Sequence, residues 1–97
     1  MSYSKLELNG RTAVVIGGTS GIGRAIAHGM AEAGADVVCT SRRQEQVDAA
    51  AAEIEAKGRR TLRVTSDVSD MASLENLLSE SVAAFGKVDI LVNSAGR

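Results

Sequence analysis

"VVIGGTSGIGRAIA", Val14 to Ala27, is an apolar run that breaks at glycines and resumes with helical spacing. A short β-branched segment that enters a glycine turn and leaves it as a helix presents free backbone N–H groups to an anion. Two phosphate-binding arrangements use such a turn. The triphosphate loop needs G-x-x-x-x-G-K-[ST]. Gly18 to Ala25 has its glycine spacing, but Arg24 stands where the lysine must reach the outer phosphates, and Ala25 where a hydroxyl must bind magnesium. The dinucleotide arrangement fits better. Gly17 permits a tight turn out of the strand, and Gly21 and Gly23 remove side chains where a pyrophosphate and the helix must come close. Thr19 and Ser20 add hydroxyl donors. The spacing is G-x-x-x-G-x-G, not G-x-G-x-x-G. The matching strands and helices downstream argue against the bland alternative, glycines that only end a strand and start a helix.

Working outward, Arg11 to Ile16 reads as a buried strand and a helix begins near Gly21. Ile22, Ala25, Ile26, Met30 and Ala33 repeat at helical spacing, and Gly34 ends the helix. Asp36 to Thr40 is a second buried strand. A helix over Gln44–Lys57 turns Val47, Ala50, Ala51 and Ile54 inward. Arg60 to Thr65 is expected as a third strand nearer an edge. A helix capped by Ser69 or Asp70 carries Met71, Leu74, Leu78, Val82 and Phe85 on its apolar face, and Val88 to Val92 forms a fourth strand. Alternating strands and helices predict an α/β, Rossmann-like parallel sheet, strand order 3-2-1-4, with flanking helices. The chain then reverses across the sheet between the first and fourth strands, which is where open α/β sheets bind ligands. "GGTSGIG" and "NSAG" flank that one crevice.

With these elements in place, the chain resembles the N-terminal, cofactor-binding half of the short-chain dehydrogenase/reductase family. That family's T-G-x-x-x-G-[IL]-G motif matches Gly17 to Gly23, with Ile16 in place of the threonine. Its Asp-Val pair matches Asp67 and Val68. Its Asn-Asn-Ala-Gly motif matches Asn93, Ser94, Ala95 and Gly96, with serine second. The resemblance covers nearly the whole chain. It implies an oxidoreductase that interconverts a carbonyl and an alcohol by hydride transfer. It also implies a cofactor site at Gly17, Thr19, Ser20, Gly21, Ile22, Gly23, Asp67, Val68, Asn93, Ala95 and Gly96, with Asp67 on the adenine amino group and Val68 against the adenine.

The end of the second strand selects the cofactor. An acidic residue there accepts from the adenine ribose and repels a 2′-phosphate. Here the chain reads Ser41, Arg42, Arg43. A hydroxyl and a bidentate guanidinium favour phosphate, so NADP(H) is expected over NAD(H), with Arg42 the stronger candidate.

The family's serine and Tyr-x-x-x-Lys lie beyond the Asn-Ser-Ala-Gly turn. The only tyrosine, Tyr3, has glutamate four residues later. No catalytic residue is therefore assigned. Residues 1–97 are expected to be a partial NAD(P)-binding domain, truncated relative to the family, with the catalytic half absent. A stand-alone nucleotide-binding module and a non-catalytic interaction remnant are the alternatives. The carbonyl or alcohol substrate belongs to the full-length family. The fourth strand is expected to leave an open edge prone to self-association.

Composition sets the remaining bounds. With 97 residues and 44% hydrophobic content the chain is one small domain. A net charge of -1 offers no footprint for nucleic acid, and no apolar run is long enough to span a bilayer. Cys39 is the single cysteine, which suggests a reducing, cytoplasmic setting. Cys39 is expected in the core, His28 on a solvated helix side, and no metal site from the spacing of His, Cys and carboxylates.

Overall fold

The computed structural model describes residues 7–94. Their elements run β1 (Thr12–Ile16), α1 (Gly21–Glu32), β2 (Asp36–Thr40), α2 (Gln44–Ala56), α3 (Met71–Phe85) and β3 (Ile90–Asn93). The strands pair in parallel in the order β2-β1-β3. Thr12 aligns with Asp36 and Ile16 with Thr40, while Ala13 aligns with Ile90 and Ile16 with Asn93. The fourth strand expected from the sequence is thus β3, beside β1 as predicted.

The expected third strand does not form a ladder. Residues 60–66 run alongside β2 and make two main-chain contacts, Val37 N–H to Arg60 O (3.1 Å) on the strand and Ser66 N–H to Ser41 O (2.9 Å) just after it. Between them a side chain takes over: the buried Thr40 hydroxyl donates to Val64 O at 2.6 Å. Arg63 is drawn onto α2 through Glu55 (2.7 Å). The segment is a tethered edge, and the described sheet has order 2-1-4 in the predicted numbering, without its outer strand.

Each sheet face has its own core. Ala13, Val15, Val37 and Cys39 meet Ala27, Ala31, Ala50 and Ile54 under α1 and α2. Val14, Ile16 and Val38 meet Leu77 under α3, with Leu62, Val64, Leu74 and Phe85 packed around them. α2 buries the four predicted residues.

Two helical faces differ from expectation. α1 buries Gly23, Ala27 and Ala31, while Ile22 is 77% exposed. The stripe of smallest side chains lets the helix lie close on the sheet, and that rotation turns Ile22 outward. α3 buries Leu77 and Ser81, leaving Met71 and Val82 exposed. Ser81 fits inside because its hydroxyl donates back to Leu77 O at 2.8 Å, which satisfies it within the helix.

Candidate cofactor site

The carboxyl ends of β1, β2 and β3 open on one cleft of about 1000 Å³, a size typical of small-ligand sites. The glycine turn from Gly17 to Ser20 forms its floor. Gly17 N–H bonds Thr40 O and Ser94 N–H bonds Ile16 O, both at 2.8 Å, so the turn is pinned to β2 and the chain after β3 is pinned to β1.

Gly17 (φ 82°) and Gly21 (φ 59°) occupy left-handed backbone that side chains disfavour. A Cβ on Gly21 would meet open space, so glycine there serves the backbone bend and keeps the cleft clear. Gly23 has a different role. A Cβ there would collide with Gly17 O and come within 2.8 Å of Ser94 Oγ. Its hydrogen lets α1 start directly against the turn.

α1 begins at Ser20 without a side-chain cap and has no acidic residue in its first turn. The first N–H groups of a helix lack intrahelical acceptors, and the dipole adds positive potential there. Ser20, Gly21 and Ile22 line the cleft at this end. Arg24 does not reach it. Its guanidinium grips Glu53 on α2 at 3.0 and 2.8 Å, and His28 Nε2 meets the same carboxylate at 2.9 Å. These contacts hold the Glu53 carboxyl down to about 2, chiefly through the Arg24 hydrogen bond. Arg24 is therefore committed to joining α1 with α2, and it does not face the turn as a P-loop lysine would. His28 is half-buried on that carboxylate instead of standing in solvent.

The far end of the cleft is built by β2 and the segment after residue 66. Ser41 and Arg42 line one side, Asp67, Val68 and Ser69 the other. Arg43 is the N-cap of α2 and is not among the lining residues. Asp67 Oδ1 accepts from Ser69 Oγ (2.6 Å) and Ser69 N–H (2.9 Å). The Ser69 hydroxyl first, its amide next, and the Arg42 charge opposite hold the Asp67 carboxyl below its ordinary value. One face of Val68 is open to the cleft.

Asn93 ends β3 opposite Ile16 and engages its surroundings, and Ser94 after it lines the cleft. Ala95 and Gly96 lie outside the described residues. The structure adds Gln46, Ser66, Ser69 and Ser94 to the wall. Gln46 is the most informative addition. Its Oε1 accepts from both Thr19 Oγ1 and Ser41 Oγ at 3.4 Å, so it joins the glycine turn to the end of β2. A polar residue in the first turn of a helix that starts beside the cleft was the available signal.

Among the described residues no group of three His, Cys, Asp or Glu side chains could hold a metal ion, and no helix is long and apolar enough to cross a membrane. The cleft does fit a dinucleotide: Gly17 and Gly21 put no side chain into it, the Thr19 and Ser20 hydroxyls and helix N–H groups line one end, and the Arg42 cation lines the other.

Comparison with known proteins agrees. The family model for short chain dehydrogenase matches residues 11–97. An uncharacterized oxidoreductase of Mycobacterium tuberculosis is 42% identical over 96 residues, covering 99% of this chain and 36% of its own. The L-rhamnose 1-dehydrogenase (NAD(P)(+)) of a Sphingomonas strain is 41% identical over 90 residues, covering 92% of this chain and 35% of its own. The crystal structure of a dehydrogenase/reductase from Sinorhizobium meliloti superposes with a TM-score of 0.89 at 42% identity, covering 96% of this chain and 37% of that one. The chain thus spans about a third of the length of these relatives. With the family model matching residues 11–97, and the glycine turn and the Asp67–Val68 pair lining one cleft, the chain belongs to the short chain dehydrogenase family of oxidoreductases.

Proposed function

We propose that the cleft binds NADP(H) in preference to NAD(H). On this reading it forms the cofactor-binding portion of an oxidoreductase that interconverts a carbonyl and an alcohol. The bound nicotinamide supplies the hydride; this chain's residues bind and orient. The first-turn N–H groups of α1, with Thr19 and Ser20, take the pyrophosphate. Asp67 keeps Oδ2 available for the adenine amino group while Ser69 occupies Oδ1. Val68 and Ile22 offer exposed apolar surface to the rings. Asn93, with Ala95 and Gly96, serves the nicotinamide-side ribose.

The observation that carries the preference is the placement of Ser41 and Arg42 together on the cleft wall where β2 ends, with no carboxylate beside them on that strand. A carboxylate there would accept from a ribose 2′-hydroxyl; a hydroxyl and a guanidinium instead suit a phosphate. Arg43, at the start of α2, adds positive charge nearby and makes the smaller contribution. Two charge-assisted contacts are worth about tenfold or more in affinity. Titration calorimetry of Arg42→Ala against both cofactors tests this. NADPH affinity should fall by about tenfold with NADH unchanged. An unchanged ratio of the two dissociation constants refutes the assignment.

The acid/base groups for hydride transfer are proposed to lie outside these 97 residues, whose only tyrosine is Tyr3. The chain by itself then binds cofactor without turnover, in a cytoplasmic setting that keeps Cys39 reduced. The intact mass of the native gene product tests this: a polypeptide near three times this length supports it, and a 10.0 kDa product that turns over substrate overturns it.

A further inference from the structure

We infer that Gln46 sets the 2′-phosphate preference of the cleft by controlling where two hydroxyl protons go. This rests on the NADP(H) reading above and deepens it. The chain has three polar groups in a row at this end: Thr19 on the glycine turn, Gln46 on the first turn of α2, and Ser41 after β2. Thr19 Oγ1 and Ser41 Oγ both donate to Gln46 Oε1 at 3.4 Å. Each hydroxyl has one proton. In this arrangement one carbonyl oxygen on the cleft wall takes both protons, so neither is offered to an anion.

Both contacts are long for an O–H···O bond, whose usual separation is about 2.7–2.8 Å. Little is lost when they break. A half-turn of the Gln46 amide places its NH2 group where the carbonyl stood. The amide then donates to both hydroxyl oxygens, and the two protons are released to an anion. Together with Arg42 the end of the cleft becomes a cluster of donors. No atom but the amide's own moves far, since Gln46, Thr19 and Ser41 already line the same cavity.

Glutamine is suited to this role because it carries a donor and an acceptor on one planar group. Glutamate in its place has acceptors only. It would hold both hydroxyl protons permanently, add a negative charge beside the phosphate position, and accept from a free ribose hydroxyl. Methionine keeps the length and removes both functions. Gln46 is thus a positioning residue that acts through Thr19 and Ser41, and also a determinant of specificity.

The test uses two probes that isolate the adenosine end, adenosine 2′,5′-bisphosphate and adenosine 5′-monophosphate, titrated calorimetrically into the unsubstituted chain, Gln46→Glu, Gln46→Met and Arg42→Ala. Gln46→Glu should lose at least about tenfold in affinity for the bisphosphate while the monophosphate stays within about twofold. Gln46→Met should lose about threefold to tenfold for the bisphosphate alone. Equal losses for both probes in both variants would mean a packing role and overturn the inference. So would an unchanged bisphosphate affinity in Gln46→Met, the variant that decides the matter if Gln46→Glu does not fold. Failure of the underlying reading looks different: the unsubstituted chain then fails to discriminate the probes, and Arg42→Ala changes neither.

Discussion

Replacing Gly23 with alanine should destabilise the chain, and replacing Gly29 with alanine should stabilise it, although both glycines lie in α1. A helix gains about 0.5–1 kcal/mol when an interior glycine becomes alanine. At Gly29 nothing lies within 4 Å of the added methyl, so that gain is realised in full. At Gly23 the methyl collides with Gly17 O and lies 2.8 Å from Ser94 Oγ. The Ser94 hydroxyl can rotate away, but the Gly17 carbonyl is backbone and cannot, because Gly17 N–H is held by Thr40 O. Overpacking of this kind costs about 1–3 kcal/mol, which outweighs the propensity gain. In a domain of this size 1 kcal/mol moves Tm by about 4–8 °C. Thermal melts followed by circular dichroism should therefore place Gly29→Ala a few degrees above the parent. Gly23→Ala should melt roughly 5–15 °C below it, with weakened nucleotide binding because the turn is displaced. If Gly23→Ala melts as high as Gly29→Ala and binds nucleotide normally, the close seating of α1 on the glycine turn is wrong.

Three other outcomes are expected from the same structure. The Glu53 carboxyl titrates near 2 in the folded chain against 4.5 ordinarily, so its contribution to stability is present above about 4.5 and disappears as pH falls toward 2. Glu53→Gln should thus be less stable than the parent at pH 7 and equal to it near pH 2 by denaturant titration. The gap should shrink in high salt because the pair is partly exposed; equal stability at pH 7 in low salt would contradict the α1–α2 link. Cys39 is buried and its thiol is pushed up to about 11 by desolvation, so alkylation at pH 8 should require denaturant, and rapid labelling of the native chain would contradict its placement in the core. The outer edge of β3, with Leu91 53% exposed, should drive concentration-dependent self-association that Leu91→Lys reduces in sedimentation velocity; a parent that stays monomeric at high concentration refutes this.

Most of the fold was legible because the glycine turns and the β-branched runs fix where strands end and helices begin. β1, α1, β2 and α2 obey those signals nearly residue by residue. What periodicity missed has physical causes. Arg60 to Thr65 alternates like a strand, but Thr40 satisfies Val64 O through a side chain, and Arg63 turns to Glu55. Hydrophobicity pointed to Ile22 as inward, whereas the small residues of α1 decide which face can approach the sheet. The shape of the cleft was legible where backbone conformation dictates it, at the left-handed Gly17 and Gly21. It was less so where long side chains converge: Gln46 reaching Thr19 and Ser41, and Arg24 leaving the turn for Glu53. Thr19 and Gln46 are 27 positions apart, and Arg24 and Glu53 are 29. Contacts at such separations leave no periodic trace in a sequence.

The central claim is that a dinucleotide with a 2′-phosphate sits in the crevice between β1 and β3, with its adenosine end against Ser41 and Arg42. The ratio of the dissociation constants for NADPH and NADH, measured calorimetrically on the unsubstituted chain at one fixed salt concentration, tests it most directly. The account predicts NADPH binding at least about tenfold tighter. Equal affinity, or tighter binding of NADH, would contradict it.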